Sequence, residues 1–115
     1  MTIMTIMTMR PLRRLMMTAA ALLMASTALA ADTQTVTQKG LAFIPNELAI
    51  DKGATVEFVN DDSTTHNVIV SGDGVSFNGG IQGPGGHVKY TFAKTGTFTV
   101  SCGIHPKMKL TVTVK

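Results

Sequence analysis

The sequence has 115 residues, 44% of them hydrophobic, with ten Lys and Arg, seven Asp and Glu, three His and one Cys. Its formal charge of +3 comes from Arg10, Arg13 and Arg14 near the start, because residues 31–115 hold seven lysines against seven acidic groups. A neutral domain without a basic run interleaved with aromatics is not built to bind nucleic acid, and a single cysteine cannot close an internal disulfide.

Residues 1–30 read as a cleavable export signal. The three arginines precede an apolar stretch from Leu15 to Leu29, which ends in the small-x-small site Ala28-Leu29-Ala30. A membrane anchor is the alternative. The stretch is short against the ~20 residues a span needs, and Ser26 and Thr27 interrupt it, so no stable membrane insertion is expected. Arg13-Arg14 leaves the choice between general and twin-arginine export open. Removal of this segment leaves residues 31–115 as one domain, expected to be monomeric and periplasmic.

The pattern after residue 31 is β throughout. Thr33–Lys39 alternates polar residues with Val. Leu41–Ile50 is extended but broken at Pro45-Asn46, where proline offers no N–H to a ladder. Asp51-Lys52-Gly53 is a turn, Thr55–Asn60 is a strand with Val56 and Phe58 on one face, and Asn60–Ser63 is a loop. His66–Ser71 is a strand with His66, Val68 and Val70 facing one way. The glycine-rich stretch Gly72–Gly86 is too long for a tight hairpin; a short strand around Val75–Phe77 with mobile loops on either side is expected. Val88, Tyr90 and Phe92 share a face, which turns His87 to solvent. Thr97–Cys102 and Leu110–Lys115 are the last two strands. Short strands separated by glycine-marked turns predict an all-β, Greek-key β-sandwich.

The residues that carry chemistry are concentrated near the C-terminus. Seven of the eight methionines lie in the first thirty residues. The one remaining Met and the one Cys both fall in Cys102-Gly-Ile-His105-Pro-Lys-Met108. Strand parity continues the inward row Phe98, Val100 into Cys102, and Met108 leads into the inward row Leu110, Val112, Val114. His66 points inward at a strand start. One thiolate, two imidazoles and one thioether converging at a pole of the sandwich are the donor set of a type 1, or blue, copper centre. Taken singly, each residue has an ordinary explanation: an inert core thiol, a structural His, a packed Met. Zinc is the rival metal, but thioether is an unusual zinc ligand.

The runs Phe43-Ile-Pro45, Gly53–Asp61, His66-Asn67-Val68, Tyr90-Thr-Phe92 and Gly96–Met108 resemble the plastocyanin/azurin family of cupredoxins over essentially all of residues 31–115. The two-residue gap between His105 and Met108 is most similar to the short ligand loop of amicyanin. The resemblance implies that His66, Cys102 and His105 are equatorial copper ligands and Met108 the axial one. It implies a one-electron carrier cycling Cu(II) and Cu(I), with redox proteins as donor and acceptor: a c-type cytochrome and, by the amicyanin likeness, an amine dehydrogenase.

Two positions depart from that family pattern. Gly103 stands where relatives usually carry Ser or Thr bonded to the Asn after the first His, so Asn67 needs another partner. Ile104 stands where short-loop relatives often carry Pro, and its N–H is expected to reach the Cys102 sulfur. Ile104 and Pro106 form an apolar collar around His105 where a partner would dock, with Lys107 and Lys109 beside it to steer an acidic partner. The alternative function is copper storage or delivery. An enzyme is disfavoured, because four protein ligands leave no open position on the metal.

Overall fold

The structure, a computed structural model, describes residues 32–115; the expected export signal lies outside the described residues. Nine strands form two sheets, with no helix among the described residues. The first sheet has β1 (Thr33–Lys39), β2 (Ala42–Ile44), β4 (Thr55–Asn60) and β7 (His87–Thr91) in the order β2-β1-β4-β7. The second has β3 (Glu47–Ile50), β5 (His66–Gly72), β6 (Val75–Gln82), β8 (Gly96–Ser101) and β9 (Lys109–Val114) in the order β3-β9-β8-β5-β6. The chain crosses between sheets after β2, β3, β4, β6 and β7, which makes an all-β sandwich. β1 lies parallel to β4, and β3 parallel to β9.

Alternation explains the core. In β4, β8 and β9 every second residue is buried, because successive side chains leave opposite faces of a strand. Val36, Val56 and Phe58 from one sheet meet Val68, Val70, Phe98, Val100, Leu110 and Val112 from the other. A row of rings, Phe77–Tyr90–Phe92–Phe98, joins the sheets with centroid separations of 4.7, 4.8 and 5.5 Å. The break at Pro45 separates β2 from β3 and sends them to different sheets.

The glycine-rich stretch departs from expectation. It holds an eight-residue strand, β6, rather than a three-residue one, and the connection from β5 is a tight hairpin. Gly72 pairs with Val75 across a two-residue turn, in which Asp73 and Gly74 both have positive φ, 44° and 77°. Asp-Gly favours this turn because glycine takes a left-handed conformation at no steric cost. A second turn of the same type joins β1 to β2, where Lys39 pairs with Ala42. Its central residues are Gly40 (φ 62°) and Leu41 (φ 57°). A leucine there costs about 1–2 kcal/mol against an ordinary backbone.

Candidate metal centre

Strands β9, β8 and β5 are antiparallel neighbours. The end of β8 and the starts of β9 and β5 therefore lie at one pole of the second sheet. His66 opens β5, Cys102 directly follows β8, Met108 directly precedes β9, and His105 sits in the loop between the last two. Topology thus brings together all four residues singled out from the sequence.

One donor atom from each of His66, Cys102 and His105 lies within 4.8 Å of the other two. Cys102 Sγ is 3.8 Å from His105 Nδ1. The two imidazole rings meet edge to face at 5.1 Å. His66, Cys102 and Met108 are buried, while His105 is partly exposed. The Met108 N–H donates to the His105 carbonyl at 2.9 Å and closes the loop into a turn.

The hydrogen bonds of His66 show which of its nitrogens is free. Nε2 lies 2.7 Å from Asp62 Oδ2, whereas Nδ1 is buried without a partner. An unpartnered buried polar atom costs about 1–3 kcal/mol. Here it belongs to a cluster with a buried thiol and a second imidazole, beside a buried thioether, so the donor set fits a soft metal such as copper. Burial pushes the Asp62 carboxyl up. The hydrogen bond from His66 and those from the Leu41 and Gly40 N–H groups outweigh it and hold the group below the usual carboxylate range.

The surroundings of the sulfur differ from expectation. Sγ accepts the backbone N–H of Asn67 at 3.3 Å, and no bond from the Ile104 N–H to it occurs among the described residues. The reason is in the ladder. β5 pairs with β8 only as far as Ile69 and Ser101, while on its other side, toward β6, a register shift falls between Asn67 and Ile69. The Asn67 N–H is thereby left over for the sulfur.

The Asn67 side chain also finds its partners. Nδ2 donates to Asn78 Oδ1 at 3.0 Å and to the Gly80 carbonyl at 2.7 Å, and Oδ1 accepts the Gly103 N–H at 3.1 Å. A Cβ at position 103 would stand 3.1 Å from Asn67 Oδ1 and 3.3 Å from Ile69 Cδ1. Glycine lets the ligand loop come close enough for its backbone to replace the missing hydroxyl. Asp62, Asn78 and Gly80 escaped the sequence reading. Asp62 stands four residues before His66 in a polar loop, and only that spacing hinted at a role.

Around His105 the surface carries Ile104, 47% exposed, with Pro106 and Lys107 also exposed. His87 is exposed as expected and lies 3.3 Å from Glu57, away from the cluster.

The profile of the copper binding proteins, plastocyanin/azurin family, matches residues 30–115. This chain belongs to that family. Cupredoxins of this kind bind type 1 copper, and copper is the cofactor of this one. Among relatives, plastocyanin of Ulva prolifera is 30% identical over 86 residues, covering 65% of this chain and 88% of its own. A methionine-to-alanine mutant of amicyanin in its Cu(I) form superposes with a TM-score of 0.68 at 24% identity, covering 76% of this chain and 87% of that one. The copper-containing nitrite reductase of Thermus scotoductus SA-01 superposes with a TM-score of 0.67 at 33% identity. That match covers 72% of this cupredoxin, which spans 22% of the reductase chain.

Proposed function

We propose that this cupredoxin is an exported one-electron carrier whose copper is held by His66, Cys102, His105 and Met108. The observation that carries the reading is the buried, unpartnered Nδ1 of His66 in a cluster with Cys102 Sγ and His105. When bound, copper supplies a one-electron couple, Cu(II)/Cu(I), whose potential a donor set of one thiolate, two imidazoles and one thioether would tune.

The chain's own residues do the rest. His66 and Cys102 are placed by strand ends packed into the core, so their positions do not depend on metal, and a carrier needs such preorganisation to reorganise little. The Asn67 N–H withdraws charge from the sulfur and steadies it. Asn67 Oδ1 ties Gly103, and with it the ligand loop, to β5. His105 alone reaches the surface, through the apolar collar of Ile104 and Pro106. A partner docking there would come close to the metal through one ring. Contacts of that kind are small and short-lived. Lys107 beside the collar suits an acidic redox partner, of which a c-type cytochrome or an amine dehydrogenase is the kind implied by the amicyanin likeness. Four donor side chains favour a carrier over a catalyst, because a catalytic metal keeps an open position.

The test is the visible spectrum of residues 31–115 with one equivalent of Cu(II), beside Cys102→Ser. An intense thiolate-to-copper band that bleaches on reduction and is absent from Cys102→Ser is expected. A colourless product would overturn the carrier reading in favour of copper delivery.

A further inference from the structure

Asp62 is not among the four donor side chains, yet it connects one of them to the β1–β2 turn of the first sheet. Its Oδ2 lies 2.7 Å from His66 Nε2 and accepts the Leu41 N–H at 3.1 Å, while Oδ1 accepts the Gly40 N–H at 2.7 Å. Gly40 and Leu41 are the two left-handed residues of the β1–β2 turn, and their successive N–H groups form a small anion-binding concavity. The loop that carries Asp62 is held as well. The Asp62 N–H donates to Asn60 Oδ1 at 2.9 Å, and Asn60 Nδ2 donates to the Thr64 and Gln82 carbonyls at 2.9 and 3.0 Å. The carboxylate is 15% exposed and the ring it meets is fully buried.

We infer that Asp62 is a positioning residue: it fixes the His66 ring and its Nε2–H tautomer, and its charge biases the copper site toward Cu(II). The first part follows from donor and acceptor roles. An ionised carboxylate only accepts, so Nε2 carries the proton, and in the neutral ring the lone pair is then on the unpartnered Nδ1. That is the state a metal ligand requires, and it exists before metal arrives. The second part rests on the copper reading above. A carboxylate behind a ligating imidazole makes the ring a stronger donor, which favours the more highly charged ion. The unusual backbone of Leu41 then has a use, since the turn presents two N–H groups to the oxygen atoms that hold the ring.

Imidazole ¹⁵N shifts of the copper-free protein test the first part in the parent alone. A His66 protonated only at Nε2 is expected; a proton on Nδ1 would overturn it. Asp62→Ala, which removes the acceptor, is expected to give a mixture of tautomers, and an unchanged single tautomer would also overturn it. The midpoint potential of copper-loaded Asp62→Asn at fixed neutral pH tests the second part. Asn keeps an acceptor oxygen and loses the charge. A tenfold loss of preference for Cu(II) over Cu(I) is expected, a rise of about 59 mV for one electron. An unchanged or lower potential would overturn the charge effect. If the parent shows no blue band, the copper reading and the charge effect fall together, while the tautomer measurement still decides the positioning role.

Discussion

Asn67 shows how much one side chain can hold at this pole. It is 5% exposed, and its amide joins β5 to β6 through Asn78 and Gly80 and to the ligand loop through Gly103, while its own N–H serves the sulfur. Asn67→Ala keeps the backbone bond to Cys102 and strips the amide bonds, leaving the Gly103 N–H and the Gly80 carbonyl without that partner. A loss of about 1–2 kcal/mol is expected, near the net worth of one or two hydrogen bonds, since Gly103 and Gly80 are exposed to solvent and the Gly80 carbonyl keeps its bond from Gln82 Nε2. Urea unfolding of the copper-free protein measures it, and copper release from the variant should be faster because the loop carrying His105 is no longer tied. The identity of Asn67 as a neighbour of the site was legible from His66-Asn67; its partners were not, because Asn78 and Gly80 lie in a stretch whose pairing depends on a turn.

At the scale of elements, most strands were readable where hydrophobic residues alternate. Thr33–Lys39 and Thr55–Asn60 have the bounds expected of them, because burial on one face alone sets the pattern. The stretch after Gly72 was not readable by that rule. Its strand contains Gly79 and Gly80 and sits at a sheet edge, where few side chains are buried and alternation is weak. Asp73-Gly74 was the available signal, a two-residue hairpin turn whose chemistry outweighs the glycine content. The matching turn at Gly40-Leu41 carries a residue poorly suited to its backbone. Leu41→Asn should keep the N–H that reaches Asp62 and relieve part of the left-handed strain, because Asn tolerates this conformation. Leu41 is 53% exposed, so little packing is lost. A gain of about 0.5–1 kcal/mol is expected; it would raise the melting temperature by roughly 2–8 °C, at about 4–8 °C per kcal/mol for a domain of this size. Calorimetry checks it, and an unchanged His66 ¹⁵N spectrum would show that the site is untouched.

At the scale of the molecule, the domain has no disulfide to close it, since Cys102 is its one cysteine. Bound copper takes part of that role. A ligand that binds only the folded state adds about 2.7 kcal/mol at a hundred times its dissociation constant. Removing copper with a chelator should therefore lower the melting temperature by roughly 10–20 °C, with the strand spectrum unchanged, because His66 and Cys102 are anchored in the packed core. Collapse of the fold on removal would contradict a preorganised site.

Residue types and their spacing alone were enough for most of the β pattern, for singling out Cys102, His105, Met108 and His66, and for the inward direction of His66, Cys102 and Met108. Those properties are local: a two-residue repeat and a short loop decide them. Tertiary structure decided what surrounds the donors. The Asn67 N–H, and not that of Ile104, meets the sulfur because the ladder between β5 and β8 stops at Ile69. Asp62 meets His66 and the β1–β2 turn together because the two sheets bring residues 40, 41 and 62 to the same pole. Hydrogen bonds between segments distant in the chain depend on where strand pairing ends and on which backbone groups it leaves free. No local pattern of residues encodes that.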